Sequence, residues 1–441
     1  MELQKKKQST CPELFKWQLD HAGALRHALM EYGYAKDGSD TGTGKTVIAL
    51  TVAKSLGLTP FIVCPKSVVP SWNEWSEKFD LKPLVYNYEK LIRGKTEYYK
   101  RKGSQRSWTL HPERVLLIFD EDHRCKGAKS ENAKMMIAAK KRGLLTLSLG
   151  ATSCANPVEM RALGYLLDLH DDRGWWNWAL KNGCKRGTFG GLQFNGNKSA
   201  LKRIHDHIYK RGRGSRLRIQ DLPPGSFPDG NVIAQGYDVG STVEINEIYE
   251  DLRIKLQDID SKRDDEDNAL VMQLRARQEV ELKKVPVFEE LARDILEGGS
   301  SVVIFVNFRD TLEALLRRLA GLHEISLIEG TQSGVSRDIE VRRFQRDETR
   351  ICLCMTQAGG TGLSFHDVNG KHPRVSLISP SFSAIDLKQA IGRIHRAGAK
   401  SPAVQKIIFA DNTVEMRVCK LVRQKLNNID LINDDELNPL L

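Results

Sequence analysis

Two kinds of stretch alternate along this chain. Short, continuously apolar, β-rich runs appear at Phe61-Ile62-Val63-Cys64-Pro65, Val115-Leu116-Leu117-Ile118-Phe119 and Thr146-Leu147-Ser148-Leu149. They return at Val302 to Val306, Ile325 to Ile328, Ile351 to Met355, Val375 to Ile378 and Val404 to Phe409. Runs without polar alternation suit strands buried on both faces, as in a parallel sheet. Between them lie segments with helical spacing: an amphipathic one from Leu14 through Leu29, Val47-Ile48-Ala49-Leu50, and one carrying Trp72 and Trp75. Tyr86 and Tyr88 fall in a stretch read as a loop. Strands alternating with helices predict α/β units with parallel sheets. Residues 244–283 are charged and helical, with Ile245, Ile248, Tyr249 and Leu252 on one face and an exposed polar turn expected at Ser261–Asp267. The expected organisation is therefore an α/β domain over 1–243, a helical connector over 244–283 and a second α/β domain over 284–441.

Chemistry concentrates where predicted strands end. Asp40-Thr41-Gly42-Thr43-Gly44-Lys45-Thr46 lies between a turn-like Ala35-Lys36-Asp37-Gly38 and the helix beginning at Val47. Glycines before a helix N-terminus let backbone N–H groups close on a phosphate, with Lys45 reaching the β/γ-phosphates and the Thr46 hydroxyl available to Mg²⁺. The strict pattern has Gly where this chain has Ser39. The strand Val115–Phe119 delivers Asp120-Glu121-Asp122-His123, two carboxylates at the ligand edge of a sheet. Asp120 is placed to hold Mg²⁺ and Glu121 to polarise a water. Gln18, just upstream, can donate and accept together, as adenine recognition requires. In the second block, Arg393 and Arg396 are three apart, predicting two guanidiniums on one helix face, the geometry of arginine fingers.

Composition narrows the class. The chain has 441 residues, 40% hydrophobic and 28% charged, as expected of a soluble globular protein. It has no apolar run long enough to span a bilayer and no signal-peptide core at its N-terminus, so a cytoplasmic protein without membrane association is expected. Eight scattered cysteines with no C-x-x-C pair argue against zinc and for a reducing interior. The net charge of +11 favours a polyanionic partner. It gathers in two clusters: Lys95, Lys100, Arg101, Lys102 and Arg106 beside Tyr98 and Tyr99, and Lys202, Arg203, Lys210, Arg211, Arg213, Arg216 and Arg218. The neighbouring Trp175, Trp176 and Trp178 are read as packing residues rather than base-stacking ones.

With phosphate loop, acidic strand end and arginine pair in this order, the chain resembles a superfamily 2 helicase-like ATPase, and more closely the Snf2 family of DNA translocases, from about Phe15 to Leu426. Gln18 matches the family's adenine-reading glutamine, Lys45 and Thr46 its phosphate-loop pair, and Val63-Cys64-Pro65-Lys66-Ser67 with Trp72 its motif Ia. Asp120-Glu121-Asp122-His123-Arg124 matches D-E-A-H-R with Asp122 replacing Ala at a non-catalytic position. Leu149-Gly150-Ala151-Thr152-Ser153-Cys154-Ala155-Asn156 stands where the family has L-T-G-T-P-x-x-N, and Gly150 and Ser153 depart from it. Ala358-Gly359-Gly360-Thr361-Gly362-Leu363 matches A-G-G-x-G-L. Gln389, Gly392, Arg393, His395 and Arg396 match Q-x-x-G-R-x-H-R, and Thr413-Val414-Glu415 the T-x-E that follows.

The resemblance implies two tandem RecA-like domains with ATP in the cleft between them. ATP would be held by Gln18, Gly42, Thr43, Gly44, Lys45 and Thr46 with Gly360, Gly362, Arg393 and Arg396, and Mg²⁺ by Thr46 and Asp120. Glu121 would position the water, and His123, Thr152 and Gln389 would couple the motifs. It implies DNA contacts at Lys66, Ser67, Thr356, Gln357, Arg211 and Arg213. A minimal phage or bacterial type of member is expected, acting as a monomer on double-stranded or forked DNA. A strand-separating DNA or RNA helicase, and a catalytically weak nucleic-acid-binding scaffold, remain the other readings of the sequence.

Overall fold

The computed structural model describes residues 12–94, 96–187, 191–260, 266–359, 363–380 and 383–416. They form two compact units that part between Pro223 and Pro224. No helix among the described residues is long and apolar enough to cross a membrane.

The first unit carries β1 (Tyr34–Asp37), β2 (Thr59–Cys64), β3 (Leu84–Asn87), β4 (Tyr99–Lys102), β5 (Gln105–Trp108), β6 (Val115–Asp120), β7 (Thr146–Leu149), β8 (Cys184–Arg186), β9 (Leu192–Phe194) and β10 (Gly214–Ser215). Six of them make one parallel sheet in the order β10-β1-β7-β6-β2-β3. β4–β5 and β8–β9 are separate antiparallel pairs. Both faces of the large sheet are covered. Along β6, Leu116 and Ile118 join Leu25, Leu29, Ile48 and Leu50 on one side, while Leu117 and Phe119 join Met135, Met136 and Leu163 on the other. That is why these strands read as unbroken apolar runs. The helix α1 (Lys16–Tyr32) ends at Gly33 in the left-handed region, α2 (Lys45–Leu56) follows the phosphate loop, and α3 (Val69–Lys78) follows β2.

The second unit holds β11 (Gly230–Tyr237), β12 (Ser301–Val306), β13 (Ile325–Ile328), β14 (Ile351–Met355), β15 (Arg374–Ile378) and β16 (Ala403–Ala410), all parallel in the order β11-β16-β15-β12-β14-β13. Val302, Ile304 and Val306 of β12 pack with Phe288, Leu312, Leu315 and Leu353.

Four expectations from the sequence are corrected. The stretch read as a turn at Ala35–Gly38 is mostly β1, whose four residues are all buried; two charged side chains, Lys36 and Asp37, hid it. The loop expected around Tyr86 and Tyr88 is β3 followed by a short helix, Tyr88–Ile92. The boundary lies at Pro223/Pro224 rather than at 243, because Gly230–Tyr237 pairs along its whole length with Ala403–Ala410. Nor is 244–283 an independent connector. Its helices, Thr242–Asp260 and Glu266–Lys283, bury Ile245 and Val280 in the second unit's core. Most of the polar turn expected at Ser261–Asp267 lies outside the described residues.

Candidate nucleotide-binding site

The site begins with β1. Its two charged residues are buried because each has partners behind the loop. Asp37 Oδ1 lies 3.1 Å from His21 Nε2 and accepts from the Ser39 N–H at 2.9 Å. Burial raises the Asp37 carboxyl, but His21, Lys45 and Ser39 overcome it and hold the group well below the usual carboxylate range. Ser39, where the strict pattern has Gly, is fully buried; its hydroxyl meets His21 Nε2 at 3.1 Å and accepts from the Leu217 N–H at 3.0 Å. The hydroxyl thus gives the loop a lateral anchor that a glycine cannot.

The loop itself is held from several sides. Gly42 and Gly44 both have φ of +89°. The left-handed backbone favours glycine at 44, and a Cβ there would also press on Gln18 Nε2 at 2.5 Å. Gln18 donates to the Thr43 carbonyl at 3.0 Å and accepts from the Phe15 N–H at 3.1 Å, so its amide ties α1 to the loop. Thr43 Oγ1 donates to the Asp40 carbonyl at 2.9 Å. Lys45 Nζ donates to the carbonyls of Ser39 at 2.8 Å and Asp40 at 2.9 Å, curling back over the loop where a phosphate would lie. Burial lowers the Lys45 ammonium, opposed by the charges of Asp37, Glu121 and Asp40. Arg216 grips the loop through Asp40 Oδ1 at 3.0 Å and the Gly38 carbonyl, and the Ile219 N–H reaches Asp40 Oδ2 at 3.0 Å. Sequence reasoning gave Arg216 only as one member of a basic cluster; nothing in the local pattern marks its partner.

The acidic strand end comes next. Asp120 Oδ2 accepts from Trp72 Nε1 of α3 at 2.8 Å, and its Oδ1 from the Glu121 N–H at 2.9 Å. Tyr88 donates to the Asp120 carbonyl at 2.9 Å. Burial, and then the charge of Glu121, push the Asp120 carboxyl up to about 7, with Trp72 and Lys45 pulling the other way. Glu121 sits at φ +52°, a left-handed conformation costly for a non-glycine residue, and its Oε2 is 3.4 Å from His123 Nδ1. Lys45, Asp120 and Glu121 are thus brought into one electrostatic neighbourhood. The donors available to a cation, the Thr46 hydroxyl and the Asp120 carboxylate, are hard oxygens suited to Mg²⁺. An acid pushed up to about 7 by burial and then by a neighbouring carboxylate fits a position where a cation completes the charge balance. Among the described residues there is no cluster of three or more His, Cys, Asp or Glu that would form a protein-only metal cage.

Asp122, the departure from D-E-A-H, is structural here. It is buried, and its Oδ2 pairs with Lys36 Nζ at 2.9 Å and accepts from Ser148 Oγ. Lys36 Nζ spends its other donors on the carbonyls of Asp37 at 2.9 Å and Gly150 at 2.8 Å. Gly150 is the second departure, and it belongs with the first: a Cβ there would overlap Asp122 Oδ1 and stand 3.0 Å from its Cγ. The larger acid after Glu121 and the missing side chain after β7 therefore occupy one space. Thr152 and Ser153, just beyond, are buried.

In the second unit, Gly360 and Gly362 lie outside the described residues. Arg393 and Arg396 are not on a helix face. The helix Ala384–Ile391 stops before them; Arg393 stands in the following turn and Arg396 just beyond it, each donating to the Leu363 carbonyl, at 3.1 and 2.9 Å. Convergence on one oxygen replaces helical spacing as what brings them together. His395, between them, has Nε2 2.8 Å from the Pro228 carbonyl, and Gly230 leaves room for its ring. Gln389 is buried. Of the residues expected to touch DNA, Thr356 is a correction: it is buried and donates to the Val306 carbonyl at 3.0 Å, closing β14 onto β12. Arg213 turns inward to Tyr34 Oη at 3.2 Å and lies over the Tyr32 ring. Lys66, Gln357 and Arg211 are exposed and Ser67 is half-buried. Trp175 donates to the Pro157 carbonyl at 3.3 Å and Trp178 packs on the core, as expected of packing residues.

Two parallel RecA-like sheets, one ending in a phosphate loop and an acidic pair, the other in an arginine turn, define a helicase-type ATPase core. Comparison with known proteins agrees. Residues 284–398 match the helicase conserved C-terminal domain. Over 460 residues, 97% of this chain and 85% of the relative, the chain is 33% identical to a putative ATP-dependent RNA helicase, L364, of Acanthamoeba polyphaga mimivirus. It is 22% identical over 94% of its length to 37% of the CHD3-type chromatin-remodeling factor CHR7 of Arabidopsis thaliana. Among solved structures, Dbp5 of S. cerevisiae bound to RNA and ADP BeF3 matches 94% of this chain and 92% of its own at 11% identity and a TM-score of 0.50, a likeness of fold. The chain belongs to the Snf2-like family of superfamily 2 helicase ATPases.

Proposed function

We propose that the protein is an ATP-driven motor that translocates along double-stranded DNA, remodelling forks, annealing strands or displacing bound proteins. The observation that carries the reading is the braced phosphate loop with Lys45 set against Asp120 and Glu121. In this reading Gln18, Gly42, Thr43, Gly44, Lys45 and Thr46 hold ATP. Lys45 exchanges its two loop carbonyls for phosphate oxygens. Thr46 and Asp120 would hold Mg²⁺, which would supply charge neutralisation at the phosphates. Glu121 orients the attacking water and takes its proton. Arg393 and Arg396 give up the Leu363 carbonyl to stabilise charge on the transferred phosphoryl group. The reaction is mostly positioning and charge neutralisation, so a motor gains by making the arginines' arrival conditional on a conformational step. Lys66, Ser67, Gln357 and Arg211 contact the nucleic-acid backbone, which makes binding sequence-tolerant and salt-sensitive.

A strand-separating RNA helicase is the competing reading, favoured by the name of the mimivirus relative. The steady-state ATPase rate with no nucleic acid, duplex DNA, single-stranded DNA, forked DNA and RNA, with Lys45→Ala as blank, decides between them. Stimulation by duplex or forked DNA is expected. Stimulation by RNA or single strands alone would overturn the duplex assignment, and no rate above the blank would overturn the enzyme.

A further inference from the structure

The first basic cluster is divided by the structure into two halves with different duties. β4 and β5 form an antiparallel hairpin closed by the two-residue turn Gly103-Ser104, with Gly103 at φ +56°. An isolated two-stranded hairpin is marginal in water, and this one is bolted down along its inner face. Tyr99 and Trp108 are buried with ring centroids 5.0 Å apart, and Trp108 Nε1 donates to the Met135 carbonyl at 3.1 Å. Arg106 makes a two-pronged bond to Glu131 at 2.7 and 2.9 Å. That bond, opposed by partial burial and aided by Lys134 and Arg101, draws the Glu131 carboxyl down to about 2. Arg101 leans the same way, onto the Ile92 carbonyl at 2.7 Å.

The outer face is the remainder. Lys100 pairs in register with Ser107 and Lys102 with Gln105, all four exposed. Two lysines share that face, two residues apart on one strand, and neither cross-strand partner is a carboxylate. Like charges on one face repel, and opposite charges across a pair are the usual remedy. Here Glu131, the acid that anchors the hairpin, is engaged by the inner arginines and by Lys134. A rigid platform that holds two ammonium groups outward fits an anion from outside the chain. The regular spacing of a nucleic-acid backbone offers adjacent phosphates.

We propose that the β4–β5 hairpin is an accessory nucleic-acid arm, in which Lys100 and Lys102 contact successive backbone phosphates. It lies apart in sequence from the expected contacts at Lys66, Ser67 and Gln357, and it rests on the reading of the protein as a nucleic-acid motor. The contacts read charge and not sequence, so the arm adds affinity for any site without choosing one.

The test is a salt titration of binding to duplex DNA by the full chain, comparing wild type with Lys100→Gln/Lys102→Gln and with Lys100→Arg/Lys102→Arg. Loss of two phosphate contacts lowers the slope of log K against log[salt] by about 1.8 and weakens binding on the order of tens-fold near 0.1 M salt. The arginine pair keeps both, and basal ATPase and the unfolding midpoint stay unchanged in each variant. If wild type binds and the glutamine pair binds with the same affinity and slope, the arm is refuted while the motor stands. If wild type binds no nucleic acid, the functional reading fails first and takes the arm with it.

Discussion

Gly150→Ala is the substitution that most directly probes the site's internal construction. The new methyl would overlap Asp122 Oδ1 and lie 3.0 Å from Asp122 Cγ. Asp122 cannot swing aside cheaply, because its other oxygen is held by Lys36 at 2.9 Å and by Ser148, all of them buried. Overpacking of this sort costs about 1–3 kcal/mol. If relief comes by breaking the Lys36–Asp122 pair, the cost rises to about 3–5 kcal/mol, because a buried charge is left uncompensated. At about 2–4 °C per kcal/mol for a unit of this size, a loss of ~3 kcal/mol lowers the first unit's thermal midpoint by roughly 6–12 °C. The shared space also fixes the rescue. Adding Asp122→Ala and Lys36→Met removes both the overlap and the stranded ammonium, so the triple variant should recover ~2 kcal/mol or more over Gly150→Ala alone. Differential scanning calorimetry of the single and triple variants reads both numbers. A Gly150→Ala midpoint within 1 °C of wild type, or a triple variant no better than the single, refutes the claim that positions 122 and 150 share one space.

Other expectations follow from the same geometry. Lys45→Ala and Glu121→Gln should each bring ATP turnover to background while DNA affinity in a filter-binding assay stays within about threefold of wild type. Turnover at the wild-type rate in either would unseat the assigned residues. Arg396→Ala should retain nucleotide binding but lose on the order of 10³-fold in turnover, which single-turnover kinetics separates from affinity. Asp120, raised to about 7 against about 3.9 in the unfolded chain, binds a proton more readily when folded. Its contribution to stability is therefore present below pH 4, lost as pH rises from about 4 to 7, and flat above; a denaturation series over pH 5–8 without Mg²⁺ should fall accordingly, and Asp120→Asn should flatten it. Thr356→Ala should lower stability through the lost Val306 bond and leave DNA affinity unchanged.

The chemistry was more legible in the sequence than the scaffolding that positions it. Apolar runs such as Val115–Phe119 and Val302–Val306 revealed their strands because both faces of each sheet are covered. β1 failed that test: its Lys36 and Asp37 are buried as ions, and burial of ions depends on His21, Asp122 and Gly150, residues distant in sequence. β11 failed for another reason. It is an edge strand, only partly buried, and its Gln235 and Gly236 blunt any apolar signal. The arginine pair was found by identity and spacing, but the helix inferred from that spacing ended before it. Arg216 could not be told from its basic neighbours, because the sequence gives charge without direction.

The pairing of β11 with β16 bears on any attempt to divide the molecule. A piece cut to residues 284–398, the stretch that matches the helicase C-terminal domain, would omit both strands and with them Glu415, whose carboxylate pairs with Lys284 at 2.8 Å. β15, now an interior strand with every residue buried, would become a raw edge of unpaired N–H and C=O groups flanked by valine, leucine and isoleucine. Such an edge is a template for the next copy of itself, so that piece should assemble into aggregates on expression. One that starts at Pro224 keeps the sheet closed at that side and should remain dispersed.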